Sequence, residues 1–230
     1  MFLRAFNALA LGALATLSLA SAASAGQIDL SPYVNTDIHG YTSGADYPVG
    51  QVTIGGIGFN LAPIGTDGAG IIQLGNGSSV SIADNESGVN IAYVIVNSGF
   101  GSAGSNIGNL TFFGAGAAQV SFDLIEGVNV RDHFNGVFNN VATGVFATQD
   151  YDGGNRYDVY RYDISALGGT LTSIGFSSTN VDFVQGQPFL AAVTTAGGVP
   201  EPASWAMMLL GFGGLGAVMR RTRRPATVTA

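Results

Sequence analysis

Gly, Asn and Asp interrupt the stretch from residue 26 to 199 at short intervals, and this punctuation limits what the chain can fold into. The apolar runs between them are mostly about four to eight residues, long enough for strands and too short for amphipathic helices. Strands are expected at 51–54, 57–61, 71–74 and 80–83, separated by turn clusters such as Gly65-Thr66-Asp67-Gly68 and Gly75-Asn76-Gly77. The run 89–96 is apolar on both alternations apart from Asn90, which predicts a central strand covered on both faces. In 118–124 the alternation is clean: Ala118, Val120, Phe122 and Leu124 point inward, and Gln119, Ser121 and Asp123 point outward. Further strands are expected at 141–148, 156–162, 171–176 and 189–195. This spacing predicts an all-β body of two packed antiparallel sheets, a β-sandwich. No 20–50-residue repeat is present, so a solenoid or propeller is not expected.

The two ends differ from this body. Arg4, an apolar run from Ala8 to Ala20, and Ser21-Ala22-Ala23-Ser24-Ala25 follow the order of a secretory signal peptide. Ala23 and Ala25 place small side chains where a signal peptidase reads them, so residues 1–25 are expected to form a signal-peptide helix that is cut before Gly26. At the other end, Val199-Pro200-Glu201-Pro202-Ala203-Ser204-Trp205-Ala206 precedes an uncharged run to Met219 and then Arg220, Arg221, Arg223 and Arg224. Two prolines two positions apart hold the backbone extended, with its carbonyls open to a processing enzyme. Trp205 carries the amphipathic ring that settles at headgroup depth. The run from 205 to 219 is about 22 Å long as a helix at 1.5 Å per residue, short against a bilayer core of ~30 Å. Ser204 and snorkelling Arg side chains extend it, so a single transmembrane helix is expected at about 204–219. The Arg cluster orients it with the 225–230 tail in the cytoplasm.

These terminal residues, PEPASWAMMLLGFGGLGAVMRRTRR, resemble the PEP-CTERM sorting signals of the PEPxxWA type. The resemblance implies that residues 200–224 are read by an exosortase, a membrane cysteine enzyme that recognises the Pro-Glu-Pro region and removes the tail. Pro200, Glu201, Pro202, Trp205 and Ala206 would be the sorting motif, and the catalytic residues would belong to the exosortase. It further implies a Gram-negative source, transient anchorage in the inner membrane with the body in the periplasm, and then release to the cell surface or exterior. It also implies a link to exopolysaccharide and biofilm. The extension 225–230 departs from tails that stop soon after the basic residues.

Charge narrows what the body can bind. There is no Lys, and between residues 26 and 199 fourteen carboxylates face three arginines, for a net charge of −11. Such a surface repels nucleic acid and anionic lipid. With no Cys there is no disulfide scaffold, Cys-ligated metal or Cys nucleophile. His39 and His133 are the two histidines, and no Gly-x-Ser-x-Gly elbow is present. No catalytic residues and no cofactor are expected.

Three weaker features remain. Asp123 and Glu126 straddle a strand end, and a polysaccharide-active enzyme would need such carboxyls about 5 to 10 Å apart in a cleft. Asp150, Asp152 and Asn155 partly imitate a calcium loop, but Asn155 stands where an EF-hand has Gly and Arg161 stands where it has Glu. The same residues read better as a tight turn, for which Asp152-Gly153-Gly154-Asn155 supplies the positive-φ positions. Tyr151, Tyr157, Tyr160 and Tyr162 cluster in the adjoining strands as a candidate glycan patch, with ordinary strand packing as the competing reading. The run GQVTIGGIGFNL at 50–61, with 160–164 and 171–176, loosely resembles jelly-roll modules that bind carbohydrate or galactose. On that resemblance the alternative function is a secreted carbohydrate-binding module.

Overall fold

The computed structural model describes residues 26–40, 46–75, 77–136, 140–179 and 186–197. The expected signal-peptide helix and transmembrane helix, together with the residues assigned to signal-peptidase recognition, sorting and membrane orientation, lie outside these residues. Among the described residues no helix is long and apolar enough to cross a membrane; the regular elements there are strands and single 3₁₀ turns.

The strands are β1 (Gly26–Gln27), β2 (Thr36–Asp37), β3 (Gly50–Ile54), β4 (Ile57–Leu61), β5 (Pro63–Ile64), β6 (Gly68–Gln73) and β7 (Ser79–Ser87), followed by β8 (Ile91–Gly99) and β9 (Asn106–Phe113). The remaining five are β10 (Gln119–Ile125), β11 (Val145–Tyr151), β12 (Asn155–Asp163), β13 (Thr170–Ser178) and β14 (Gln187–Ala196). The larger sheet runs β11-β12-β8-β14-β6-β2, with β1 added to β14 and β5 to β6; the smaller runs β10-β9-β13-β7. Every paired strand is antiparallel. The protein is therefore all-β, with antiparallel sheets packed face to face.

One face of the larger sheet buries Ala92, Val94, Val96, Leu190 and Val193 against Ile82, Leu110, Phe112, Ile174 and Phe176 of the smaller. The inward row of β10 behaves as its alternation requires: Leu124 is buried, and Ala118, Val120 and Phe122 pack partly buried against this core. The opposite face carries a layer that a two-sheet sandwich does not anticipate. The β3–β4 hairpin lies across it, and Phe59, Leu61, Ile38 and Tyr47 cover Ile95, Val159, Tyr157 and Ala191. Thr194 Oγ1 ties the layers by donating to the Gly58 carbonyl at 2.7 Å. This third layer accounts for the two-sided burial expected of β8, and β14 shares it.

The sequence reading places no strand at 106–113, where β9 runs. Gly108 is required there for close approach: a Cβ would collide with the Ser177 carbonyl oxygen of the neighbouring β13. The strand expected from 141 begins only at Val145, and Val141 is exposed in the preceding connection.

Candidate functional site

Strands β11 and β12 carry most of the residues singled out in the sequence. The turn between them is closed as the hairpin reading requires, with Gly153 and Gly154 at φ of 72° and 83°. Asp150 and Asp152 are exposed, whereas Asn155 is buried and its Nδ2 donates to the Asp152 carbonyl at 2.8 Å. The Asn155 amide nitrogen is thus spent on closing the turn.

The four tyrosines do not form one patch, because successive residues of a strand face opposite ways. Tyr157 turns to the hairpin side, where it is 1% exposed and packs on Tyr47 and Tyr151 with ring centroids 4.6 and 5.6 Å away. Tyr160 and Tyr162 turn to the face shared with the smaller sheet. Tyr162 lies 4.7 Å from Phe122 and 6.0 Å from Phe112, centroid to centroid.

An open cleft of about 420 Å³ separates β10 from β12 at this point. Ser121, Phe122 and Asp123 form one wall, Tyr160, Arg161, Tyr162 and Asp163 the other, and Asn129, Thr143 and Gly144 close the end. Asn129 fixes that end by accepting from the Ile125 amide at 2.7 Å and donating to the Asp123 carbonyl at 2.8 Å. Glu126, paired with Asp123 in the sequence reading, is fully buried, while Asp123 is exposed at the cleft.

A buried polar cluster that the sequence did not announce interacts with Tyr160 of the cleft. Asp158 is fully buried and accepts from Arg131 Nε and Nη2 at 2.8 and 2.7 Å, Thr148 Oγ1 at 2.7 Å and Asn97 Nδ2 at 2.7 Å. The hydrogen bonds it donates to Asp158 hold the Arg131 guanidinium above its usual range. Arg156 donates through Nε and Nη2 to the Asp132 carbonyl; burial, then the Arg131 charge, lower its pKa. Asp132 accepts the Phe100 and Phe134 amides at 2.8 and 2.7 Å, and burial pushes it up to about 6 despite these bonds. His133 faces the Tyr47 hydroxyl across 3.3 Å; burial and then Arg156 pull it down to about 4, so it is neutral at neutral pH. His39 lies apart, beside Asp37 at 3.1 Å. The cluster bonds to itself and to backbone, so what it does is anchor the 126–144 connection to the sheet.

The register links the cleft to both ends of the body. Asp163 stands opposite Ile91 and Ile91 opposite Ala196, while Tyr162, Ala92, Thr195 and Gly26 form the next row. Residues 198–224 match the family model of the PEP-CTERM protein-sorting motif. This motif supports an exported protein processed by an exosortase, and that enzyme is the processing partner it implies. No curated protein matches the chain.

Proposed function

We propose that this chain is an exported protein that passes through the inner membrane in two stages and acts outside the cell, without catalytic activity of its own. Signal peptidase cuts before Gly26, and the 204–219 segment holds the precursor with residues 26–199 in the periplasm. An exosortase then recognises the Pro200-Glu201-Pro202 region and removes the tail, and the body passes to the cell surface or the extracellular matrix, among exopolysaccharide. The observation that carries this reading is the sorting-motif match at 198–224, which starts two residues after β14 ends at Ala196. The test is to express the full chain in a Gram-negative host with and without its exosortase gene. The reading expects loss of the C-terminal tail in the first strain and its retention in the second.

A further inference from the structure

We infer that the cleft between β10 and β12 binds a neutral hexose-based oligosaccharide. Its volume of about 420 Å³ lies within the ~300–1,000 Å³ range of small-molecule sites. Phe122 and Tyr162 line it as a tilted aromatic pair and are only partly buried, so they offer ring faces to the apolar C–H face of a pyranose. Polar groups surround that apolar floor. Asp123 and Asp163 each hold one oxygen in an internal hydrogen bond, Oδ1 of Asp123 from Asn109 and Oδ1 of Asp163 from the Ser165 amide. Their remaining acceptor capacity, and the exposed Arg161 guanidinium, are available to hydroxyls.

The second observation is Tyr160. This residue lines the cleft and is 3% exposed, and its hydroxyl is buried with no hydrogen-bond partner. A buried hydroxyl left unpaired is destabilising, so its retention beside a cleft marks a place where a ligand hydroxyl or a bridging water completes the site. Burial also holds the Tyr160 phenol protonated far above neutral pH, so it is ready to donate. Charge selects among sugars: two carboxylates stand against one guanidinium in the cleft, on a body of net charge −11. Uronates, sulfated glycans and phosphorylated sugars are repelled, and a neutral glycan is not. Every group named belongs to the body, so the inference does not rest on the sorting reading.

The test is calorimetric titration of the full-length chain, purified in detergent, with neutral hexasaccharides of glucose, galactose and mannose and with polygalacturonate as the acidic control. Binding to at least one neutral hexasaccharide is expected, with none to polygalacturonate. Tyr160→Phe keeps the ring and is expected to weaken binding about two- to tenfold, the worth of one hydrogen bond. Tyr162→Ala is expected to weaken it at least about tenfold. Tyr162 also packs on Phe112, so Arg161→Ala and Asp163→Asn, whose parent side chains are exposed, keep the test decisive if the ring's loss disturbs the fold. Each should reduce affinity with an unchanged circular dichroism spectrum. The inference is overturned by no heat with any neutral hexasaccharide at millimolar concentration, by preference for polygalacturonate, or by affinity unaltered in Tyr160→Phe and Arg161→Ala together.

Discussion

Gly26 pairs with Thr195 across the β1–β14 ladder, and Thr195 Oγ1 donates to the Gly26 carbonyl at 3.3 Å. The residue at which export processing is expected to start the mature chain therefore lies beside the last residues before the sorting motif. Thr195 Oγ1 also contacts the Glu86 carboxylate, which fills the space where a side chain on Gly26 would go.

This packing predicts a small penalty for Gly26→Ala. A Cβ there displaces the Glu86 carboxylate, which is the flexible end of its side chain and can swing away at the cost of its bond to Thr195. A loss of about 1 kcal/mol is expected, read as a lower urea midpoint. An unchanged midpoint would mean that Glu86 does not hold this edge.

The Arg131–Asp158 pair predicts a much larger effect. Asp158 is fully buried with three side chains donating to its carboxylate, so Arg131→Met removes its hydrogen-bonded counter-ion and leaves Arg156 Nε, 3.7 Å away, as its remaining cation. Such a loss costs about 3–5 kcal/mol. Thr148→Val removes one neutral donor and should cost about 1 kcal/mol. Chemical denaturation of the two variants, with the Arg131→Met effect the greater by far, checks this ranking.

Asp132 and His133 predict an unusual pH response. The folded-state pKa of Asp132 is raised to about 6, so between the ordinary carboxylate range and pH 6 the folded chain binds more protons than the unfolded one and stability falls as pH rises. The folded-state pKa of His133 is lowered to about 4, so over roughly the same window the unfolded chain binds more protons and stability rises with pH. At ~1.4 kcal/mol per tenfold change in proton affinity, each contribution is about 3 kcal/mol and the two nearly cancel. Melting temperature should therefore change little between pH 4.5 and 6.5 from this pair. In His133→Gln stability should fall with rising pH across that window, and in Asp132→Asn it should rise. Parallel slopes in both variants would contradict the opposed shifts.

Much of the fold is legible in the sequence because turn residues and alternation mark strands locally. The 118–124 alternation and the doubly apolar 89–96 run both lead to the strands found there. What is not legible depends on partners distant in sequence. Gly108 reads as a breaker until the Ser177 backbone beside it is seen. The β3–β4 strands are plain, but nothing local tells which face they cover. Arg131 and Asp158 are 27 positions apart, and no spacing rule joins them. The Tyr cluster shows the opposite lesson: alternation alone separates Tyr157 from Tyr160 and Tyr162, and only the latter two reach the cleft. That Phe122 and Asp123 of β10 form its other wall could not be read without the sheet packing.

Membrane retention of the precursor is expected to depend on the tail. Replacing Leu209 and Leu210 with Asp should cost roughly 6 kcal/mol of insertion free energy and release the chain into the soluble periplasmic fraction. Persistence of the variant in washed membranes would contradict a spanning role for 204–219.

The central claim is that an exosortase processes this chain at its Pro-Glu-Pro region, and intact-mass measurement of the product tests it most directly. In a host that carries an exosortase, the parent chain should yield a product lacking the C-terminal tail, whereas Glu201→Ala and Pro202→Ala should retain the mass of the uncut precursor. The same shortened mass from the parent and both variants would contradict the account.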